Sequence, residues 1–296
     1  MKILVTGAAG FIGSNIAKEL ASAHHVVGID DFSTGTFENL LGFKGQCYAQ
    51  DIRTVDFEEF SPEMIFHEAA ITDTRVSDQR LMIEVNVNSF RRMLEFACPR
   101  KITVIYASSA AVYGNGKSPM RENQALGPLN VYGFSKLMMD HIAKEYSERF
   151  PKSVIIGLRY FNVFGPGESH KKGYCSMISQ LHSEMHQGRR PKIFKAGEQT
   201  RDHIYVKDVV QANLVAMNQN KSGTYNVGTG VETSFNQIIG FLNSQIGSSL
   251  KPEYIDNPYP FYQNKTRADI SQLSGLGFAP KFTVETGIKD YFKHAE

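Results

Sequence analysis

The chain has no tryptophan, only three cysteines among its 296 residues, and no long apolar run. The last absence excludes a membrane-spanning helix, which needs about 20 consecutive apolar residues. Cys47, Cys98 and Cys175 are scattered, odd in number and without a Cys-x-x-Cys pair. That excludes a disulfide framework and a thiolate zinc site, and it predicts reduced thiols in a cytoplasmic protein. An excess of one charge is also missing: 32 basic residues face 30 acidic ones, a net charge of +2. Neither a nucleic-acid groove nor a membrane-binding face is expected from that balance. The N-terminus enters an apolar run at once, so no signal peptide is expected. His182 and His186 stand four apart, but no Glu completes an HExxH pattern and no third ligand is apparent, so no metal site is expected.

What the sequence does have is alternation. Short apolar runs at 2–5, 25–29, 64–67, 103–107 and 154–161 read as buried parallel strands. Helical spacing falls between and after them, at 12–21, 86–97, 131–149, 175–187 and 208–218. Repeated βα units predict an α/β protein: a doubly wound parallel-sheet Rossmann domain with a smaller, mixed α/β C-terminal lobe. The Rossmann domain is expected over 1–165, with 202–230 returning to it. The lobe, expected to bind substrate, takes 166–201 and 231–296. Residues 167–173 read as a surface loop.

The first strand ends in Gly7-Ala-Ala-Gly10-Phe11-Ile12-Gly13 and launches a helix. Gly7 suits a tight turn, Gly10 lets backbone approach a pyrophosphate, and Gly13 lets helix and strand pack closely. The amides of the helix start, at Phe11, Ile12 and Gly13, are then free for phosphate. Asp30 ends the second strand, at the spacing where a carboxylate accepts from an adenosine ribose, and Asp31 follows it. Carboxylates there repel a 2′-phosphate, and no Arg or Lys lies between Asp31 and Phe37. NAD is therefore expected over NADP. Asp51 and Ile52 follow the third strand and are candidates to touch adenine.

Tyr132 and Lys136 are i and i+4 on a predicted helix, hence on one face. A free phenol titrates at about 10, and a nearby cation lowers that value. The pair therefore suits general-base work on an alcohol beside a nicotinamide. Ser108 and Ser109 end a buried strand, where a hydroxyl could orient the same proton. Arg201 has the planar fork that suits a diphosphate; a salt bridge to Asp202 is its structural alternative.

These segments, with Ala107-Ser-Ser-Ala-Ala-Val-Tyr-Gly114 and Arg159-Tyr-Phe-Asn-Val-Phe-Gly-Pro166, resemble the extended short-chain dehydrogenase/reductase family of nucleotide-sugar epimerases and dehydratases. The resemblance runs from residue 2 to about 270. It implies that Ser109, Tyr132 and Lys136 form a catalytic triad. It implies that His67, Ala69, Ala70, Asn86 and Val163 touch the cofactor, and that Asn162 touches a nucleotide-diphosphate sugar. It also implies a homo-oligomer. Dehydratases of the family place acidic residues after the serine; Ala110 and Ala111 stand there, and neither moves a proton. Epimerisation through a transient ketone is the expectation.

Within the family, Asn162-Val-Phe-Gly-Pro-Gly-Glu-Ser-His-Lys171, Arg201-Asp202-His-Ile-Tyr-Val and Tyr262-Gln263 are similar to the ADP-heptose 6-epimerase group. That resemblance implies Lys171 as a second acid/base, Arg201 and Tyr262 on the diphosphate or sugar, and Phe194 to Gly197 along the pocket. The group usually has Arg where Gly167 stands and Lys near Phe37, often with NADP; the second departure agrees with NAD. A UDP-hexose 4-epimerase is the neighbouring alternative. A non-catalytic NAD-binding module is the alternative from another class, and it has no need of the Ser-Tyr-Lys set.

Overall fold

The computed structural model describes residues 1–257 and 263–293. Five apolar runs and two half-exposed ones become seven parallel strands of one sheet. These are β1 (Lys2–Thr6), β2 (His25–Asp30), β3 (Gln46–Ala49), β4 (Met64–His67), β5 (Thr103–Ser109), β6 (Ile155–Tyr160) and β11 (Gly223–Val227). Their order is β11-β6-β5-β4-β1-β2-β3. The chain reverses its direction of travel across the sheet between β1 and β4, so a crevice opens at their carboxyl ends. The remaining strands are short: β7 (Asn162–Phe164), β8 (Lys192–Phe194), β9 (Thr200–Arg201), β10 (His203–Tyr205), β12 (Thr233–Ser234) and β13 (Glu253–Ile255). They pair two by two beside the main sheet, as β10 with β7, β12 with β9 and β13 with β8.

Helices cover both faces. On one side α1 (Phe11–Leu20) and α6 (Val206–Met217) bury Ile16, Ala17, Val209 and Ala212 against Val5, Phe66 and Leu158. On the other lie α2 (Gln79–Ile83), α3 (Ser89–Ala97) and α4 (Val131–Arg149). Their Phe90, Leu94, Met139 and Ile142 meet Leu4, Ile65 and Val104. The expected helix over 86–97 starts earlier, because a π-helical turn at Glu84–Asn88 joins α2 to α3. A third core forms in the lobe, where α5 (Met177–His186), α7 (Phe235–Ile246) and α9 (Val284–Tyr291) gather around Phe164, Tyr205 and Phe11. The short helix α8 (Ser271–Ser274) adds Leu273 to the first core. Among the described residues no helix is long and apolar enough to cross a membrane. The three cysteines are unpaired.

One polar network runs through the core and fixes α4 against the sheet. Arg159 and Asp140 are almost fully buried, with Nε donating to Oδ2 at 2.9 Å. Tyr106 donates to the other Asp140 oxygen at 3.0 Å. Arg159 also donates to the Tyr113 hydroxyl at 2.9 Å, and Tyr113 to Asn226 Oδ1 at 2.6 Å. Removing one partner of such a pair leaves a buried charge without its counter-ion. Arg159→Met is expected to cost about 3–5 kcal/mol of stability. Urea unfolding measures it, and Asp140→Asn in the same chain should recover part of the loss.

Candidate active site

A cavity of about 540 Å³ lies at the carboxyl ends of the central strands. That is the size of a small-molecule or cofactor site. One end is built from the glycine turn. Gly7 has φ +66°, and a Cβ there would sit 2.7 Å from Ala69 N. A Cβ on Gly13 would sit 2.1 Å from Gly7 O, so helix and strand can approach only without a side chain. A Cβ on Gly10 would meet only Gly7 O, at 3.2 Å, and Gly10 lines the cavity. Gly10 also leaves the start of α1 without a side-chain cap or an acid in its first turn. Backbone amides with no protein cap, next to open space, are what a pyrophosphate requires. Phe11, Ile12 and Gly13 line this end.

Asp30 and Asp31 line the cavity beyond the turn. Asp30 is nearly buried and already accepts from Ala9 N at 2.9 Å and Phe32 N at 2.8 Å. Burial raises its pKa, and those two amides oppose the rise. It is thus a turn-shaping residue as well as a ribose candidate. Asp31 holds Ser33 through both backbone and hydroxyl. Ile52 lines the wall, but Asp51 does not. Asp51 turns aside to grip the Arg53 guanidinium through both carboxylate oxygens, which keeps its pKa low. Arg53 itself lines the cavity. The sequence offered no base next to Asp31, whereas the fold brings one from a different loop.

The other end carries the acid/base groups. Helix α4 starts at Asn130, whose Oδ1 accepts from Gly133 N at 2.8 Å. A Cβ on Gly133 would lie 2.8 Å from Ala111 O, so only glycine lets this turn press onto the segment after β5. Tyr132, Lys136 and Ser109 consequently share one cavity wall. Lys136 is 1% exposed and donates from Nζ to Ala107 O at 2.8 Å. Burial pushes it down to about 8, against the pull of Glu68 and Asp140. The expected acidification of Tyr132 by Lys136 is not what the geometry gives. Burial raises the phenol, the Ser109 hydrogen bond lowers it, and Glu68 raises it again. A cationic ligand is needed to tip that balance.

Ala69, Ala70 and Val163 also line the cavity. His67 and Asn86 do not; they stand behind its wall. The buried His67 pairs through Nδ1 with Thr6 Oγ1 at 2.8 Å and stacks on Phe90. Burial and Lys136 hold it neutral, with a pKa of about 3. Asn86 sits in the π-helical turn and binds both backbone groups of Ile71, at 2.8 and 3.0 Å. It also donates to Ser135 Oγ at 3.0 Å, tying the wall segment to the first turn of α4. Both residues shape the site without facing it.

The segment at 167–173 is not a free surface loop. It forms a 3₁₀ helix, Ser169–Tyr174, and puts His170, Lys171 and Tyr174 into the cavity wall. Lys171 Nζ stands 5.1 Å from the centre of the Phe11 ring. Burial lowers its pKa, while Glu168 and the Cys175 sulfur oppose the drop. Glu168, 1% exposed, staples the loop by accepting from Gly165 N at 3.1 Å and from Ser176 N at 2.6 Å. Asn39 joins it to the glycine turn, donating to Gly167 O and Ala9 O, each at 3.0 Å.

Among the described residues, Asn162, Phe194, Gly197 and Arg201 are outside the wall of this cavity. Asn162 spends its amide on Asp202 O at 3.1 Å. Phe194 pairs in the outer β8–β13 ribbon, and the Gly197 turn packs on Asn236 of α7. Arg201 donates to Thr200 O at 2.8 Å. The Asp202 carboxylate is not its partner, since it is occupied by the amides of Thr229, Gly230 and Ala268. Tyr262 lies outside the described residues. Sequence reasoning passed over four titratable members of the wall besides Arg53, namely Glu68, Tyr160, His170 and Tyr174. Glu68 and Tyr160 hydrogen-bond to each other there at 2.9 Å. An acid directly after a buried strand was the available signal.

Comparison with known proteins agrees with this geometry. A relative from Brachyspira hyodysenteriae, named ADP-L-glycero-D-manno-heptose-6-epimerase, is 38% identical over 98% of this chain and 96% of its own. The crystal structure of Helicobacter pylori ADP-L-glycero-D-manno-heptose-6-epimerase matches with a TM-score of 0.93 and 42% identity. That match covers 99% of this chain and 95% of the other. UDP-glucuronic acid 4-epimerase from Bacillus cereus, solved with UDP-glucuronic acid and NAD, matches at 0.88 with 30% identity, over 100% of both chains. The chain belongs to the NAD dependent epimerase/dehydratase family, whose model matches residues 3–228.

Proposed function

We propose that this enzyme is an ADP-L-glycero-D-manno-heptose 6-epimerase acting in the cytoplasm. The observation that carries the proposal is a second acid/base candidate, Lys171, in the same cavity as Tyr132, Lys136 and Ser109. The two relatives of that name support the same substrate. Gly7, Gly10, Gly13 and the start of α1 hold the pyrophosphate of NAD, and Asp30 takes the adenosine ribose. When bound, the nicotinamide supplies a reversible acceptor for the carbinol hydrogen of the sugar.

Tyr132 takes the proton from the carbinol oxygen, with Ser109 hydrogen-bonded to the phenol. Lys136, anchored on Ala107 O, stands 6.0 Å from the centre of the Tyr132 ring. Inversion at a side-chain carbon requires only rotation about one carbon–carbon bond. That rotation carries the oxygen away from Tyr132, so a different group must give the proton back. Lys171, with its pKa lowered by burial, exchanges a proton more readily than a solvated lysine. In a ring-carbon epimerase the whole sugar turns instead, and one tyrosine serves both faces.

Tyr132→Phe is expected to cut turnover by about 10²–10⁴-fold while NAD stays bound. Full activity in that variant would remove the phenol from the mechanism. Lys171→Met should lower kcat by roughly 10²-fold with little change in ADP-sugar binding. A loss confined to binding would make Lys171 a phosphate ligand, and NMR detection of UDP-hexose conversion instead would favour a 4-epimerase. Asp30→Ala should weaken NAD by about 1.5–3 kcal/mol and leave NADP binding equal or tighter. Dissociation constants for both cofactors decide that point, and a parallel loss for the two would assign Asp30 to the turn alone.

A further inference from the structure

Glu68 is an acid in the cavity wall that the acid/base chemistry above does not use. It is the first residue after β4, next to the switch between β4 and β1. Its amide donates to Thr6 O at 3.2 Å. Its side chain reaches across the carboxyl end of β5 to β6, where the Tyr160 hydroxyl donates to Oε1 at 2.9 Å. That hydroxyl in turn accepts from Asn213 Nδ2 of α6, also at 2.9 Å. The hydroxyl has two acceptors in reach, Glu68 Oε1 at 2.9 Å and Asn213 Oδ1 at 3.3 Å, and the shorter donation goes to Glu68. The second carboxyl oxygen makes no hydrogen bond among the described residues and belongs to a group that lines the cavity.

The charges facing Glu68 come from two elements. Helix α4 brings the Lys136 ammonium and the Tyr132 phenol, and β6 brings the Tyr160 phenol. Asn213 of α6 and Ser108 and Ser109 of β5 are uncharged. His67, its neighbour behind the wall, is held neutral. Burial raises the carboxyl, and it outweighs both the Tyr160 hydrogen bond and the attraction of Lys136, the one cation acting on it among the described residues, so the pKa is pushed up to about 8. The acid is thus close to its protonation midpoint at neutral pH. One more positive charge in the cavity is enough to ionise it.

We propose that Glu68 is the counter-charge for oxidised nicotinamide. Its carboxyl, hung from Tyr160 at the acid/base end of the cavity, ionises when the cationic ring is bound and regains its proton when the ring is neutral. The protein thereby holds NAD in preference to NADH. An epimerase must begin every turnover with oxidised cofactor, so a wall that favours NADH would strand the enzyme whenever a keto sugar escaped. The inference depends on the cofactor and not on which nucleotide sugar is converted.

The test reads bound cofactor rather than activity. Holoenzyme is equilibrated with excess NAD and NADH from about pH 6 to about pH 9, desalted, and the bound ratio measured by chromatography. All samples carry Tyr132→Phe, which removes the phenol that could lose its own proton to solvent in response to the positive charge. Because NAD binding then releases the Glu68 proton, preference for NAD should climb with pH by up to about tenfold per unit. It should level off above about 8, where the carboxyl is ionised with either cofactor. Adding Glu68→Gln should flatten the profile and lower the preference for NAD at high pH. If that protein does not fold, Tyr160→Phe keeps the carboxyl and removes its donor, and the climb should move to higher pH. A flat profile with Glu68 intact, an unmoved climb in Tyr160→Phe, or a climb that survives Glu68→Gln overturns the proposal. The last result would place the proton on Lys136.

Discussion

The chemistry of this protein depends on one contact, the seating of the first turn of α4 on the end of β5. Asn130 caps that turn, Gly133 lets it close on the Ala111 carbonyl, and Lys136 reaches Ala107 O. A few residues further along, Asp140 of the same helix is pinned by Arg159 and Tyr106. The apolar contacts of α4, through Met139, Ile142 and Ala143, are non-directional and would tolerate sliding along the axis. Buried hydrogen bonds have fixed lengths and angles, so these polar anchors set the axial position. The site requires that setting, because a shift of one residue would turn Tyr132 away from Ser109.

How much of this was legible in the sequence depended on range. The glycine turn and the Tyr132–Lys136 pair are local: their residues lie within one turn of each other, and strand–turn–helix context gives them meaning. The span of α4 was legible for the same reason, since cap and periodicity both fall inside it. Arg53, Glu68 and Tyr160 were not legible because each reaches the cavity from a different βα unit. Arg53 comes from the β3 side of the sheet and Glu68 and Tyr160 from β4 and β6, so they share one wall only once the strands are paired in order. Asp51 and His67 were misplaced in the opposite way. Asp51 follows β3 and His67 ends β4, places typical of cofactor contacts, but a nearer partner, Arg53 for one and Thr6 for the other, claimed the side chain first.

The loop that carries Lys171 shows how a segment with turn-rich composition becomes a rigid part of a site. The sequence reads 167–173 as a surface loop, and nothing in the local pattern opposes that reading. What opposes it is Glu168, a carboxylate stapling backbone from both ends of the loop. Asn39 and Asn15 add bonds from the dinucleotide side, the latter to Pro166 O at 3.0 Å.

Those tethers divide the acid/base groups between two bodies of structure. Tyr132 and Lys136 ride on a helix fixed to the sheet, whereas Lys171 rides on a loop entering the lobe. Asn39 bonds Ala9 of the glycine turn and Gly167 of that loop through one amide group. Phe11 likewise belongs both to the turn and to the lobe core, with Lys171 over its ring. The position of the second lysine is therefore referenced to the phosphate-binding turn rather than to α4. In the mechanism proposed above, two acid/base groups address opposite faces of one carbon and need independent supports of this kind. Side chains one turn apart on a helix share a face, so a second group on α4 would stand beside Tyr132 rather than across the carbon from it.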